Sequence, residues 1–187
     1  MKMRKLSMIA ILTLALASLT AHAGEVTVKD GKVRFLAVGK PSLLKIKGEG
    51  QSLNGSATAD VKGDQAKIGG TFTVDLKGLK TGIGMRDHHM QEKYLESEKF
   101  PQATLKLAPF SGKLGSEQEF KGDLTLKGVT KPVTGKATVT QSKAGEFEVK
   151  ATFPIKLTDY PVGVPTFAGV TVADDVTVET EFTGHAK

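Results

Sequence analysis

The densest group of chemically active side chains in this sequence is Asp87-His88-His89, a carboxylate followed by two imidazoles. Such groups can bind a metal ion or transfer protons. Residues 84–98 around them contain good helix formers and no β-branched residue, which predicts a helix of about three turns, ended by Phe100-Pro101. Adjacent residues on a helix point in different directions, so the two imidazoles cannot easily share one ion. The spacing therefore argues against a metal centre built on this pair.

One further combination on the predicted helix could do chemistry. Met85 and His89 are four residues apart and offer a soft sulfur and nitrogen pair for copper, but two ligands are too few. We predict no metal site here, and we expect one histidine either to pack structurally or to contact a ligand.

Nucleophilic and cofactor-dependent catalysis have little support elsewhere in the chain. No Gly-x-Ser-x-Gly, GxGxxG or phosphate-binding loop is present, and the sequence has no cysteine. His185 falls in a tail that we expect to be frayed. Asp174-Asp175 interrupts a strand pattern, which indicates a turn or bulge rather than a catalytic pair. We predict a protein that is not an enzyme and has no cofactor.

The first 23 residues have the organisation of a secretory signal peptide. Lys2, Arg4 and Lys5 precede an apolar run of about 14 residues, and Ala21-His22-Ala23 forms an A-x-A cleavage site. The run is shorter than the roughly 20 residues that a membrane span needs. We predict cleavage after Ala23 and export to the periplasm, with residues 24–187 forming a single domain. The basic residues of that domain are interspersed with acidic ones, which argues against a nucleic acid partner.

The domain consists of segments in which apolar residues alternate with threonine, lysine and other polar residues. Such alternation is typical of antiparallel strands with one buried face. Glycine-containing links punctuate the segments, and Asp30-Gly31, Gly63-Asp64, Lys127-Gly128 and Ala144-Gly145 are tight-turn signals. Eight or more strands with short links favour a sheet that closes on itself, because closure removes the exposed edges. The fold class is therefore all-β, with one helix inserted between strands.

A closed sheet has an interior, and the alternation predicts which side chains face it. Nine large apolar residues fall on the inward face: Phe35, Phe72, Val74, Leu105, Leu107, Leu124, Leu126, Phe153 and Ile155. Small residues repeatedly share this face: Gly55, Ala57, Ala59, Gly70, Ala103, Gly122, Gly135, Ala137 and Ala151. The small residues either leave an apolar cavity suited to a long hydrocarbon or merely fit the curvature of the barrel. The sequence leaves both interpretations open.

The apolar segment Tyr160–Gly169 precedes the last predicted strand and should lie at one end of the barrel. Val162, Val164 and Phe167 could be exposed there and form an apolar binding patch. The same segment could instead pack onto the end of the barrel as a plug. The sequence does not decide between a patch and a plug.

Three segments carry distinctive motifs: Gly84–Met90 contains Arg-Asp-x-His, Lys99–Leu105 begins Lys-Phe-Pro-Gln-Ala-Thr, and Gly122–Val133 contains Gly-Val-Thr-Lys-Pro. Together these segments resemble the YceI family of periplasmic and secreted polyisoprenoid-binding proteins. The resemblance covers essentially the whole domain in order and spacing. It implies an eight-stranded antiparallel lipocalin-like barrel, with a short helix near its mouth and an isoprenoid chain or similar amphiphilic lipid in its lumen.

The resemblance also suggests where a ligand would enter. On the helix, Met85, Arg86, Asp87, His89, Met90 and Tyr94 would surround the mouth, and the nine inward residues would contact the lipid. Arg86 and Asp87 match a recurrent pair of the family, and the resemblance implies an ion pair between them that fixes the helix on the rim of the barrel. The expected partner is a polyprenyl compound or an isoprenoid quinone, handled for transport, storage or sequestration. Two alternatives stay open: a redox partner presenting quinone or copper to a membrane cytochrome, and a scavenger of apolar compounds. Contact with a membrane surface, and monomer or homodimer, are likewise open.

Overall fold

The computed structural model describes residues 23–41, 44–167 and 169–186. The predicted signal peptide lies outside these residues apart from the backbone of Ala23, so its cleavage stays a prediction. The described residues form nine strands: β1 (Ala23–Lys40), β2 (Leu44–Lys62), β3 (Gln65–Asp75), β4 (Gln102–Lys113), β5 (Glu117–Leu126), β6 (Val129–Lys143), β7 (Glu146–Lys156), β8 (Thr166–Phe167) and β9 (Val170–Ala186).

The eight long strands form one closed antiparallel sheet. Each strand from β1 to β7 pairs with its sequence neighbour, β7 pairs with β9, and β9 pairs back with β1. The two-residue β8 folds against the start of β9 and is not part of the wall. The predicted all-β, eight-stranded, lipocalin-like barrel is confirmed.

The two ends of the barrel differ in their connections. One end carries the hairpins β2–β3, β4–β5 and β6–β7 together with both chain ends. The opposite end, which we call the mouth, carries the β1–β2 and β5–β6 links and two long connections, residues 76–101 and 157–169. Helical structure is concentrated at this end. The mouth therefore holds most of the irregular backbone that a ligand would meet on entering.

The predicted turns are confirmed at three positions out of four. Lys62 pairs with Gln65 around Gly63-Asp64, Lys143 pairs with Glu146 around Ala144-Gly145, and Leu126 pairs with Val129 around Lys127-Gly128. The prediction of a hairpin at Asp30-Gly31 is wrong, because strand β1 continues past these residues. They form a bulge in β1, and the bulge shifts the register of β1 against both β2 and β9.

The inserted helix occupies the predicted place but ends earlier and changes character. It begins as α1 (Gly84–His89) and continues as a π-helical turn (Met90–Tyr94). The amide of Leu95 bonds the carbonyl of Met90 at 2.8 Å, and Glu96 then adopts a left-handed φ of 47°. That reversal ends the helix, so the predicted stop at Phe100-Pro101 is wrong. Among the described residues no helix is long and apolar enough to cross a membrane.

Two other local predictions have opposite outcomes. The β1–β9 register shifts between Ala37, which pairs with Val176, and Gly39, which pairs with Val172. Asp174-Asp175 therefore lies in a bulge, as predicted. His185 is not frayed, since it pairs with both Thr27 and Glu146 in the sheet.

Candidate functional site

The interior of the barrel contains an apolar cavity of about 520 Å³ that extends to the mouth. Its wall takes residues from all eight long strands, and it joins two groups of buried side chains. One group lies toward the hairpin end and includes Val28, Leu53 and Phe147. The other lies toward the mouth and includes Leu76, Leu95 and Val162. A continuous apolar volume of this size is within the roughly 300–1,000 Å³ of typical ligand sites.

All nine large residues predicted to face inward lie on the wall of this cavity: Phe35, Phe72, Val74, Leu105, Leu107, Leu124, Leu126, Phe153 and Ile155. Aromatic contacts fix part of the wall. The rings of Phe72 and Phe182 lie 5.3 Å apart, and those of Phe120 and Phe153 meet edge to face at 6.0 Å. The strand alternation thus brings these residues together. Their contact with a lipid stays a prediction.

The small inward residues divide between the two interpretations that the sequence left open. Ala57, Ala59, Ala103, Ala137 and Ala151 line the cavity and leave it wide. The glycines serve close packing instead. A Cβ at Gly135 would lie 2.5 Å from the Thr152 carbonyl oxygen and 2.7 Å from the ring of Phe120. A Cβ at Gly55 would lie 2.6 Å from the ring of Phe72. The alanines therefore set volume, and these two glycines allow neighbouring chains to approach.

The helix supplies much of the mouth. Met85, Arg86, His89, Met90 and Tyr94 line the cavity, as predicted from the sequence. Within the described wall, Arg86 is the one side chain that is always charged. The cavity is therefore apolar along its length and gains polar character where it opens.

Asp87 has a structural role and does not line the cavity. Its buried carboxylate accepts hydrogen bonds from the amide of Thr81, at 2.6 Å, and from the Thr81 hydroxyl. Arg86 binds the same residue, with Nε donating to the hydroxyl oxygen at 2.8 Å and a terminal nitrogen donating to the carbonyl at 2.9 Å. The predicted direct ion pair between Arg86 and Asp87 is wrong for the described contacts. Both side chains fix the helix through Thr81.

Tyr94 joins the helix to the second long connection at the mouth. Its hydroxyl accepts a hydrogen bond from the Thr166 amide at 3.1 Å and donates one to the Thr166 carbonyl at 3.3 Å. Both residues line the cavity. The helix and the 157–169 connection thus meet across the opening, held by this contact.

The 157–169 connection packs into the mouth rather than presenting an exposed patch. Val162 is buried and Val164 is half-buried, so the exposed-patch interpretation is wrong for these two. The Phe167 side chain lies outside the described side chains. Tyr160 is also buried, which raises the pKa of its phenol to about 12, with a smaller contribution from Asp159. The described part of the segment behaves as a plug.

Lys127 is a buried cation that the sequence did not reveal as part of the site. Its side chain is 4% exposed, and its ammonium donates to the Tyr94 carbonyl at 2.9 Å and to Glu96 Oε1 at 2.6 Å. The hydrogen bond and charge of Lys127 lower the pKa of Glu96. Lys127 lies in the tight β5–β6 turn, with a φ of 47°. This turn therefore holds the last residues of the helix, although the sequence pattern marked it only as a turn.

Gln91 is a second anchor that the sequence did not reveal. Its side-chain amide donates to the carbonyls of Leu76, at 2.8 Å, and Leu79, at 3.0 Å. These bonds satisfy the backbone of the segment that leads into the helix. A single glutamine or lysine is not part of any motif with a defined spacing, so the sequence pattern could not predict either Gln91 or Lys127 as an anchor.

The histidines form no metal centre within the described residues. His88 is exposed, with its Nε2 3.1 Å from the Glu92 carboxylate one helical turn away. No group of three or more histidine, aspartate or glutamate side chains in the described part of the chain is arranged to hold a metal ion. His89 lies on the cavity wall, beside the mouth.

A closed antiparallel barrel with an apolar lumen and a helix at its mouth defines the lipocalin-like class of binding folds. Comparison with known families places the chain within that class. It belongs to the YceI-like family, whose domain model matches residues 19–184.

Solved structures share the fold at low sequence identity. Burkholderia cenocepacia BcnA is 23% identical, with a TM-score of 0.66 over 81% of this chain and 95% of its own. A polyisoprenoid-binding domain from Saccharophagus degradans, implicated in plant cell wall breakdown, is 17% identical, with a TM-score of 0.64 over 89% of this chain and 100% of its own. The Campylobacter jejuni YceI protein is 21% identical, with a TM-score of 0.54 over 76% of this chain and 85% of its own. A comparison with curated protein sequences found no match.

Proposed function

We propose that this protein is an exported carrier that holds a polyisoprenoid or a similar amphiphilic lipid in the lumen of its barrel. The observation that carries the proposal is the apolar cavity of about 520 Å³, which runs through the barrel and opens at one end. Membership of the YceI-like family supports it, as does the fold shared with a polyisoprenoid-binding domain.

The chemistry of the wall favours a hydrocarbon chain over a sugar or a metal. Each buried CH₂ group contributes about 0.8 kcal/mol, and ordering a flexible tail offsets part of that gain. A polar ligand would find few hydrogen-bond partners along the lumen. The polar groups near the opening, among them Arg86, His89 and Tyr94, would instead receive the headgroup of an amphiphile. A tail-in, head-out orientation follows.

The proposal is one of binding and not of catalysis. Arg86 and Asp87, neighbouring residues of opposite charge on the helix, hold it in place through Thr81. The export part of the proposal rests on the N-terminal sequence. If it is correct, intact mass measurement of the protein recovered from a periplasmic extract will give a chain that begins at Gly24. A mass that includes residues 1–23 would contradict it.

The decisive experiment is mass spectrometry of the organic extract of the natively purified protein. A carrier should release a polyprenyl compound in a near-stoichiometric amount. A quinone headgroup, or stoichiometric copper in the intact protein, would instead favour the redox-partner function. A broad mixture of apolar compounds would favour a scavenger. An extract with no lipid, from protein that also fails to take up added polyprenol, would overturn lipid binding altogether.

A further inference from the structure

The large apolar side chains that the described residues expose are concentrated at one place. Leu44 is 48% exposed, Ile83 is 54% exposed and Met85 is 63% exposed. We call these three residues the mouth rim. Leu44 begins β2 at the mouth, and the other two lie at the start of the inserted helix. Exposed apolar groups that cluster in this way indicate a contact surface.

The mouth rim is continuous with the lumen. All three residues also line the cavity, so an apolar path leads from the outer surface into the barrel without interruption. Scattered exposed apolar residues would need no explanation, but these form the outer edge of a binding cavity. Whatever covers the rim is therefore in direct apolar contact with the interior.

Positive charge surrounds the same end of the barrel. Residues 40–47, 76–101, 127–131 and 156–169, which comprise its connections and some of the adjoining strand ends, contain eleven lysine and arginine residues against five aspartate and glutamate residues. Lys40 and Lys45 flank Leu44, and Lys80 lies three residues before Ile83. All three lysines are exposed, and within the described part of the chain none of them forms an ion pair. Exposed apolar side chains ringed by lysine are typical of surfaces that bind anionic membranes.

We propose that the mouth rim docks onto the surface of an anionic lipid bilayer, so that the cavity opens directly toward the membrane. Leu44, Ile83 and Met85 enter the headgroup region, and Lys40, Lys45 and Lys80 contact the anionic headgroups. This goes beyond the proposed function, since it names a surface and a partner rather than the cargo. A lipid tail could then pass between bilayer and lumen without crossing water.

A second copy of the chain is a less suitable occupant of this surface. A symmetric dimer would bring two copies of the same basic face together, and like charges in apposition oppose association. An anionic bilayer matches both properties of the rim, its apolar centre and its positive surround. Charge complementarity therefore favours the membrane.

The test is flotation of the purified protein with vesicles of phosphatidylglycerol and phosphatidylethanolamine in equal parts. Vesicles of phosphatidylcholine alone serve as the uncharged comparison. The double variant Lys40→Glu/Lys45→Glu should weaken binding to anionic vesicles about tenfold or more. The matched control, Lys29→Glu/Lys67→Glu, makes the same charge change at exposed sites outside the mouth connections and should bind like the wild type. Added salt should weaken wild-type binding as well, because it screens these charges.

The triple variant Leu44→Ser/Ile83→Ser/Met85→Ser separates the contribution of the apolar side chains to vesicle binding from that of the lysines. It should lose vesicle binding while keeping a wild-type unfolding transition, because all three side chains are largely exposed. Equal flotation of all variants, or binding that ignores vesicle charge, would overturn the proposal. So would a wild-type dimer that the triple variant converts to monomer, since the rim would then be a self-interface. Protein that carries lipid but ignores vesicles refutes docking alone; protein that binds vesicles but never holds lipid refutes the carrier function alone.

Discussion

The hydroxyl of Tyr94 lies 3.1 Å from the amide nitrogen of Thr166, a residue 72 positions further along the chain. The two residues belong to the two long connections that meet over the cavity. Since both line the cavity, this contact lies in the path of anything that enters or leaves. The hydroxyl also donates to the Thr166 carbonyl at 3.3 Å. Hydrogen bonds on an exposed surface contribute little net free energy, so this bridge is weak enough to open.

Tyr94→Phe should speed ligand release without unfolding the barrel. Removing the hydroxyl should lower the free energy that holds the two connections together by about 0.5–1.5 kcal/mol, which corresponds to a two- to twelvefold faster dissociation. Stopped-flow measurement with a fluorescent prenyl probe gives the rate. Tyr160→Phe is the matched control, because its hydroxyl takes no part in the bridge, and it should release the probe at the wild-type rate. Unchanged release from Tyr94→Phe would show that this contact does not limit opening.

Ala137→Trp should reduce the amount of lipid that copurifies with the protein. Ala137 is buried on the cavity wall, and an indole there occupies the space that a tail would use. Overpacking should also cost about 1–3 kcal/mol of stability. The natural chain has no tryptophan, so the new fluorescence reports directly on the lumen. Lipid content is measured by mass spectrometry of the extract.

The control for this variant is Thr134→Trp, on the same strand but on its exposed face. It should show red-shifted emission and retain the full lipid content, whereas Ala137→Trp should show blue-shifted emission. A folded Ala137→Trp protein with a full complement of lipid would move the binding site out of the lumen.

Thr81→Val should loosen the attachment of the helix. The substitution keeps the shape of the side chain but removes the hydroxyl that links Asp87 to Arg86. Loss of a hydrogen bond to a charged group costs about 1.5–3 kcal/mol, which denaturant titration can measure. Thr81→Ser keeps the hydroxyl and should retain most of the stability. Equal stability of the two variants would mean that the hydroxyl does not anchor the helix.

Glu96→Gln should destabilise the protein more than Lys127→Met. The glutamine variant leaves a buried ammonium group without its carboxylate, whereas the methionine variant removes the cation and keeps its volume. The unfolding midpoints of both single variants and of the double variant give the coupling energy between Glu96 and Lys127. If Lys127→Met were the less stable of the two, the buried charge would not be the controlling factor.

The same pair makes a pH prediction. Lys127 holds the pKa of Glu96 below its ordinary value of 4.5, so the folded chain gives up this proton more readily than the unfolded chain. The resulting stabilisation is complete above that ordinary value and is lost as pH falls through the folded pKa. The stability difference between wild type and Lys127→Met should therefore shrink on acidification below about pH 4. A difference that stays constant with pH would contradict the pairing.

The regular part of this fold could be predicted because alternation alone decides which side chains share a face. Phe72 and Leu124 are far apart in sequence, yet the two-residue alternation of each strand predicts that both face the interior, and both line the cavity. Asp30-Gly31 has the composition of a turn, so local sequence wrongly predicts a hairpin where the structure has a bulge. Gly31 is required there for a different reason: a Cβ would lie 2.6 Å from Phe182 and 3.0 Å from Leu53. That requirement comes from strands distant in sequence, and no local pattern contains it.

The polar anchors at the mouth could not be predicted for a related reason. Thr81, Gln91 and Lys127 act as single residues, each bonding atoms from another segment of the chain. The sequence marks Arg86 and Asp87 by their opposite charges but does not mark the threonine that separates them. Only the folded backbone brings Thr81 to both.

The seam between β1 and β9 makes the final strand essential to the whole. Val26 pairs with Ala186, about 160 positions later, while β9 also pairs with β7 on its other side. A polypeptide that stops short of Val170 would therefore not give a smaller barrel. It would leave β1 and β7 as two unpaired edges flanking an opened apolar sheet, the arrangement most prone to aggregation.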